Sequence, residues 1–205
     1  MKKLLMLGCL TVFLTTMVYA QDKIEAPVWN VGDKWSFTSG NTVMVMNADE
    51  NTYTVKFLTP DSESVRIYEK SSLNRLYSIE RDRQVKYRGV QKRILNFPLD
   101  IGKSWKDSCT AKPIGSTPAS PEFQYFETYT VLGWEDIVIK EGKSKGLKIE
   151  YKQGRVTERG LPTKEGKAYY WYSPDVKYLI KYQYEKSPYW GGSSDWELTS
   201  FELKK

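Results

Sequence analysis

Four carboxylates, Glu127, Glu150, Glu158 and Asp175, are the groups with which this chain would do acid–base chemistry, because its 205 residues include no histidine. Two such groups about 5 to 9.5 Å apart across a cleft would serve a glycoside hydrolase as general acid and as nucleophile or base, with tyrosine and tryptophan rings stacking on the sugar. The spacing argues against that chemistry. Each of the four falls where a solvent-facing charge is ordinary, and only Glu127 shares the two-residue parity of Phe123, Tyr125 and Tyr129 that would turn it inward. A lone inward carboxylate reads as an edge position or a satisfied pair. Without histidine, Ser-His-Asp and Cys-His catalysis and imidazole zinc sites are excluded. Asp49, Glu50 and Asp61 lie in turns whose spacing fits no calcium loop. No catalytic residue, metal site or cofactor is assigned, and the chain reads as a non-enzyme.

The densest feature is aromatic. Tyr169-Tyr170-Trp171-Tyr172 leads through Ser173-Pro174-Asp175-Val176 to Tyr178, Ile180, Tyr182 and Tyr184, which strand spacing places on one face. Each ring buries about 150 to 250 Å² when packed, while a phenol keeps a polar tip. Two uses fit: the core of a twisted sheet, or the wall of a groove for a lipid tail, a sugar ring or a peptide. Alternation sends half of Tyr169 to Tyr172 to each face, so core packing explains all four only if both faces are covered. The candidate ligand contacts are therefore Tyr170, Tyr172, Tyr178, Tyr182 and Tyr184. Tyr189 and Trp190, in Ser187-Pro188-Tyr189-Trp190-Gly191-Gly192, add an aromatic pair at a hairpin tip, either a contact point or packing across a sheet end.

Short strands must position these rings. In Tyr53-Thr54-Val55-Lys56-Phe57 and in Leu147-Lys148-Ile149-Glu150-Tyr151 apolar and polar residues alternate, which predicts half-buried strands. Further strands are predicted over 35–38, 43–46, 65–68, 73–79, 85–88, 123–132, 137–139, 167–172, 177–184 and 196–203. No stretch keeps helical periodicity for three turns. Turn chemistry separates the strands at Ser39-Gly40-Asn41, Asn47 to Asn51, Thr59-Pro60-Asp61, Glu141-Gly142-Lys143, Gln153-Gly154 and Lys164-Glu165-Gly166. Ser108 to Pro121, with Pro113, Pro118, Pro121 and Gly115, reads as a long loop that either gates a site or merely connects. Val31-Gly32-Asp33-Lys34-Trp35 is echoed by Ile101-Gly102-Lys103-Ser104-Trp105, either an internal duplication or a common way to start a strand. The fold class is all-β: a curved antiparallel sheet or half-barrel built from hairpins, as a single domain over 21–205.

Met1-Lys2-Lys3, the apolar run to Val18 and the small residues before position 21 predict an export signal over 1–20, cleaved after Ala20, and a periplasmic or secreted protein with no retained transmembrane segment. Lipid anchoring at Cys9 is disfavoured because only Leu4 to Leu7 would remain as its apolar core. Cleavage removes Cys9 and leaves Cys109 without a disulfide partner. It also lowers the formal charge from +6 to +4 as Lys2 and Lys3 leave. The remaining charges alternate in sign, so the excess reads as solubility and no nucleic-acid face is expected.

Phe97-Pro98-Leu99-Asp100-Ile101-Gly102-Lys103-Ser104-Trp105, the strand around Gly146-Leu147-Lys148-Ile149, and Trp171-Tyr172-Ser173-Pro174-Asp175-Val176 leading to Lys181-Tyr182 resemble elements of uncharacterised bacterial exported β-sheet proteins. The resemblance covers 97–184. It implies a curved antiparallel sheet similar in outline to the half-barrel carriers that shuttle lipoproteins across the periplasm, and it supplies no catalytic residue. The function expected from the whole is binding without catalysis: a lipid or other amphipathic ligand held on an aromatic sheet face. A structural or protein-interaction component of the cell envelope, with other envelope proteins as partners, is the alternative, and a carboxylate-dependent glycoside hydrolase the second alternative.

Overall fold

The computed structural model describes residues 23–80, 83–85, 93–111, 123–156, 166–186 and 194–205. The described residues contain strands and turns and no helix. Strands β1 (Lys34–Phe37), β2 (Thr42–Ala48), β3 (Thr52–Leu58), β4 (Glu63–Glu69), β5 (Arg75–Glu80) and β6 (Arg83–Val85) pair in succession, each antiparallel to the last. Strands β7 (Ser104–Ala111), β8 (Phe123–Ile139), β9 (Gly142–Arg155), β10 (Gly166–Ser173), β11 (Tyr178–Lys186) and β12 (Trp196–Glu202) do the same. Pairing of β1 with β12 joins the two meanders into one 12-stranded sheet, with β6 and β7 as its outermost strands among the described residues.

The sheet is strongly curved. Phe57 on β3 and Gln153 on β9 line one cavity, although six strand spacings separate them in the sheet order. A flat sheet would hold those strands about 29 Å apart. Curling brings the buried faces of both meanders into one core, which includes Trp35, Val43 and Val55 from the first and Tyr129, Ile149 and Tyr170 from the second. An open, curved antiparallel sheet is thus the fold that the alternating sequence predicts.

Each meander opens in the same way. Gly32 and Gly102 both adopt positive φ, +92° and +85°, a conformation that costs a residue without Cβ little. The Gly32 amide donates to the Val45 carbonyl and the Gly102 amide to the Val131 carbonyl, in each case on the following strand. A tryptophan three residues on then enters the core: Trp35 donates from Nε1 to the Val176 carbonyl and Trp105 to the Arg93 carbonyl. The two pentapeptide motifs therefore build one turn twice. Asp33 adds a function that Lys103 lacks, since its buried carboxylate accepts from the amides of Asn30 and Lys204 and ties the last residues to the first turn.

Three sequence expectations need correction. Ser108 to Ala111 are not loop: they continue β7, paired with β8 as far as Ala111 opposite Phe123, and only 112–122 lie outside the described residues. Gln153 and Gly154 are not a turn but part of β9, where glycine is required because a Cβ would collide with the Phe126 ring on the neighbouring strand. The predicted strands 123–132 and 137–139 form the single strand β8, which a bulge between Val131 and Gly133 kinks without ending.

The outer face of the second meander is covered locally at Trp171, which answers the puzzle of Tyr169 to Tyr172. Tyr170 and Tyr172 are buried on the inner face, while Trp171 is only 4% exposed on the outer one. There its Nε1 donates to Glu135, the ammonium groups of Lys148 and Lys181 lie over its ring, and Gly146 leaves room for its Cβ. Long lysine side chains laid over an aromatic ring act as a cover whose charged ends stay in water.

Candidate functional site

On the inner face the sheet leaves a half-open cavity of 330 Å³, walled by Phe37, Phe57, Tyr170, Tyr178, Tyr182 and Trp196 among others. Beside it lies a second cavity of 270 Å³, reached by Trp29, Tyr68, Arg75 and Leu95. Arg66, Ile94, Tyr178 and Leu179 border both, so the two form one trough along the curl. Its rings touch one another: Trp29 meets Tyr178 with centroids 5.7 Å apart, Tyr170 meets Tyr182 at 4.7 Å, and Tyr182 meets Trp196 at 5.8 Å. Contacts of this kind hold the rings in place.

Of the residues that the sequence singled out, Tyr170, Tyr178, Tyr182 and Tyr184 border the larger cavity. Tyr172 does not. It lies edge-on to Phe97 and is 1% exposed, a core residue. Ile180 is corrected as well. Tyr172 pairs with Leu179 and Trp171 with Lys181, so a bulge at Ile180 shifts the parity of β11 and sends Leu179 into the trough in its place. Tyr189 and Trp190 lie outside the described residues, as do Glu158 and the predicted signal. Cys109 falls on β7.

Deeper on the same face, Glu127 is 7% exposed and accepts hydrogen bonds from the Tyr129 and Tyr151 hydroxyls, both at 2.8 Å, and from the Gln153 amide at 3.2 Å. Tyr151 and Gln153 border the cavity above it. Sequence parity locates this inward carboxylate. It misses Asp107, which pairs directly across from Glu127 and is buried with Arg93 donating from its backbone N and its guanidinium Nε, both at 2.8 Å. Both carboxylates are engaged, and neither borders the trough. Among the described residues no three Asp, Glu or Cys side chains gather as metal ligands. Of the other carboxylates named above, Glu150 pairs with Lys152 and Lys167, and Asp175 is exposed in the β10–β11 turn.

Burial pushes the phenols of Tyr129, Tyr151, Tyr170, Tyr172 and Tyr178 far above their ordinary pKa, and the negative charge of Glu127 adds to the effect at the first three. The site at neutral pH therefore presents neutral hydroxyls that donate or accept hydrogen bonds. On the outer face burial alone would raise the Glu135 carboxyl, but hydrogen bonds from Lys148 and Trp171 outweigh it and hold the group below the usual value.

The sequence singled out the tyrosines but not Arg66, Phe57 or Leu179. Arg66 sits on the inner face of β4 opposite Val55, its guanidinium 3.5 Å from the Phe57 ring centroid. A charged residue between Val65 and Ile67 would ordinarily be assigned to the solvent side.

No protein-family profile and no curated protein matches this chain. Among solved structures it is similar to a candidate lipoprotein of Parabacteroides distasonis, with 13% identity and a TM-score of 0.46 over 89% of this chain and 100% of the other. It is also similar to the hypothetical lipoprotein YmcC of Escherichia coli, with 10% identity and a TM-score of 0.43 over 84% of this chain and 83% of the other. A third likeness is to a candidate exported protein with a YmcC-like fold from Bacteroides fragilis, with 12% identity and a TM-score of 0.37 over 88% of this chain and 100% of the other.

Proposed function

We propose that this chain is an exported, non-catalytic binding protein whose trough seats the apolar part of an amphipathic ligand. The supporting observation is the convergence of rings from β1, β3, β10, β11 and β12 on one half-open cavity of 330 Å³. A sheet that needed these rings only for stability would bury them against each other and leave no such space. Aromatic walls interspersed with phenol hydroxyls, Ser39, Asn41 and Gln153 suit an amphipathic ligand whose chain lies on the rings and whose polar end meets these groups. The predicted signal over 1–20 supports export.

Brominated dodecyl maltoside, used below its micelle concentration, tests the seat. Bromine quenches tryptophan at short range, and Trp196 borders the cavity. Quenching is expected to saturate near one probe per chain and to fall clearly in Trp196→Phe. Quenching that never saturates, or that is unchanged in this variant, would overturn the proposal.

A further inference from the structure

Among the rings of the trough stand two cations, Arg75 at the second cavity and Arg66 at both. Arg66 borders both cavities, at the point where they join. Its guanidinium lies flat on Phe57, and its Nε is buried without a hydrogen-bond partner. Directly across the ladder on β5, Ser78 is fully buried and its Oγ also lacks a partner. Adjacent strand partners project to the same side of a sheet, so two unpaired polar groups stand side by side there. Buried polar atoms are nearly always satisfied, and an exception needs a physical explanation. Among the described residues bordering either cavity no carboxylate is found to neutralise Arg66.

We infer that the ligand carries an anionic head, a carboxylate or phosphate, that pairs with the Arg66 guanidinium where the two cavities join, while its chain lies along the rings. The inference rests on the trough being a binding seat. Charge complementarity inside an apolar enclosure is worth more than at a solvated surface, because water screens it less. A charged hydrogen bond of this kind corresponds to a preference on the order of tenfold or more over a neutral head of the same chain length.

A dodecyl series separates chain from head: laurate and dodecyl phosphate as anions, dodecanol and dodecyl maltoside as neutral heads, and dodecyltrimethylammonium as the cation. Calorimetry on the wild-type protein is expected to rank the anions at least about tenfold tighter than the neutral probes, with the cation weakest. Arg66→Met keeps the side-chain length and is expected to erase that ranking, bringing the anions to within about twofold of the neutral probes. Laurate against dodecyl phosphate shows which anion fits. Equal binding of all heads by wild type would overturn the anionic head and leave the seat standing; binding of none would overturn both. A ranking that survives in Arg66→Met would also contradict the assignment.

Discussion

Raising the pH above 10 is expected to unfold this protein within about one to two units, with its buried phenols ionising together as the sheet is lost. The cause is the set Tyr129, Tyr151, Tyr170, Tyr172 and Tyr178, whose phenols burial pushes far above their ordinary value near 10. Glu127 reinforces burial at Tyr129, Tyr151 and Tyr170, whereas Arg66 and Arg75 partly oppose it at Tyr178. A raised folded-state pKa means that the unfolded chain releases these protons first. The stability these groups confer is complete below pH 10 and is lost as the pH climbs toward their folded values. Each phenol contributes a slope of about 1.4 kcal/mol per pH unit, so five acting together give about 7. That exhausts a stability of about 5 to 15 kcal/mol quickly. Titration by absorbance at 295 nm should show exposed tyrosines ionising near pH 10 and then a steep step coincident with the loss of far-ultraviolet β signal. A single shallow wave with the sheet signal intact would contradict the burial of this set.

Glu127→Ala is expected to cost about 3 to 5 kcal/mol in urea unfolding, more than an exposed carboxylate could account for. Removing the carboxylate takes away the acceptor of the Tyr129 and Tyr151 hydroxyls and the Gln153 amide on a face largely closed to water. Glu127→Gln keeps one acceptor oxygen and should cost about 1 to 2 kcal/mol. Tyr151→Phe, which removes one donor and leaves the others, should cost about 1 kcal/mol. A loss within about 0.5 kcal/mol for Glu127→Ala would show the group to be solvated. The same variants bear on function, because Tyr151 and Gln153 border the cavity and Glu127 holds Tyr151 in position. Glu127 is thus a positioning residue beneath the trough.

Much of this architecture was legible because an antiparallel strand with one buried face writes its period into the sequence. Tyr53 to Phe57 and Leu147 to Tyr151 alternate as predicted, with Tyr53, Val55, Leu147, Ile149 and Tyr151 turned inward. The repeated glycine–tryptophan openings were visible as motifs, and the structure gives both the same hydrogen bonds. Bulges were not visible. One extra residue at Ile180 reverses parity along β11, and another at Leu132 lets β8 run on through what reads as a break. On β4 the pattern pointed the wrong way: Val65 and Ile67 are the apolar pair, yet Ser64, Arg66 and Tyr68 face the curl because they pair with Phe57, Val55 and Tyr53. Pairing partners far along the chain decide such a face, and local hydrophobicity carries no record of them. Arg66, on which the proposed anionic head turns, was hidden for that reason.

Native mass spectrometry of the protein purified from its own host without detergent tests the trough most directly. A discrete added mass, released on denaturation and identified as a single-chain amphiphile, is the expected result. The mass of the bare chain, unchanged by later incubation with such amphiphiles, would contradict a binding role for the trough and leave its rings to be explained by packing alone.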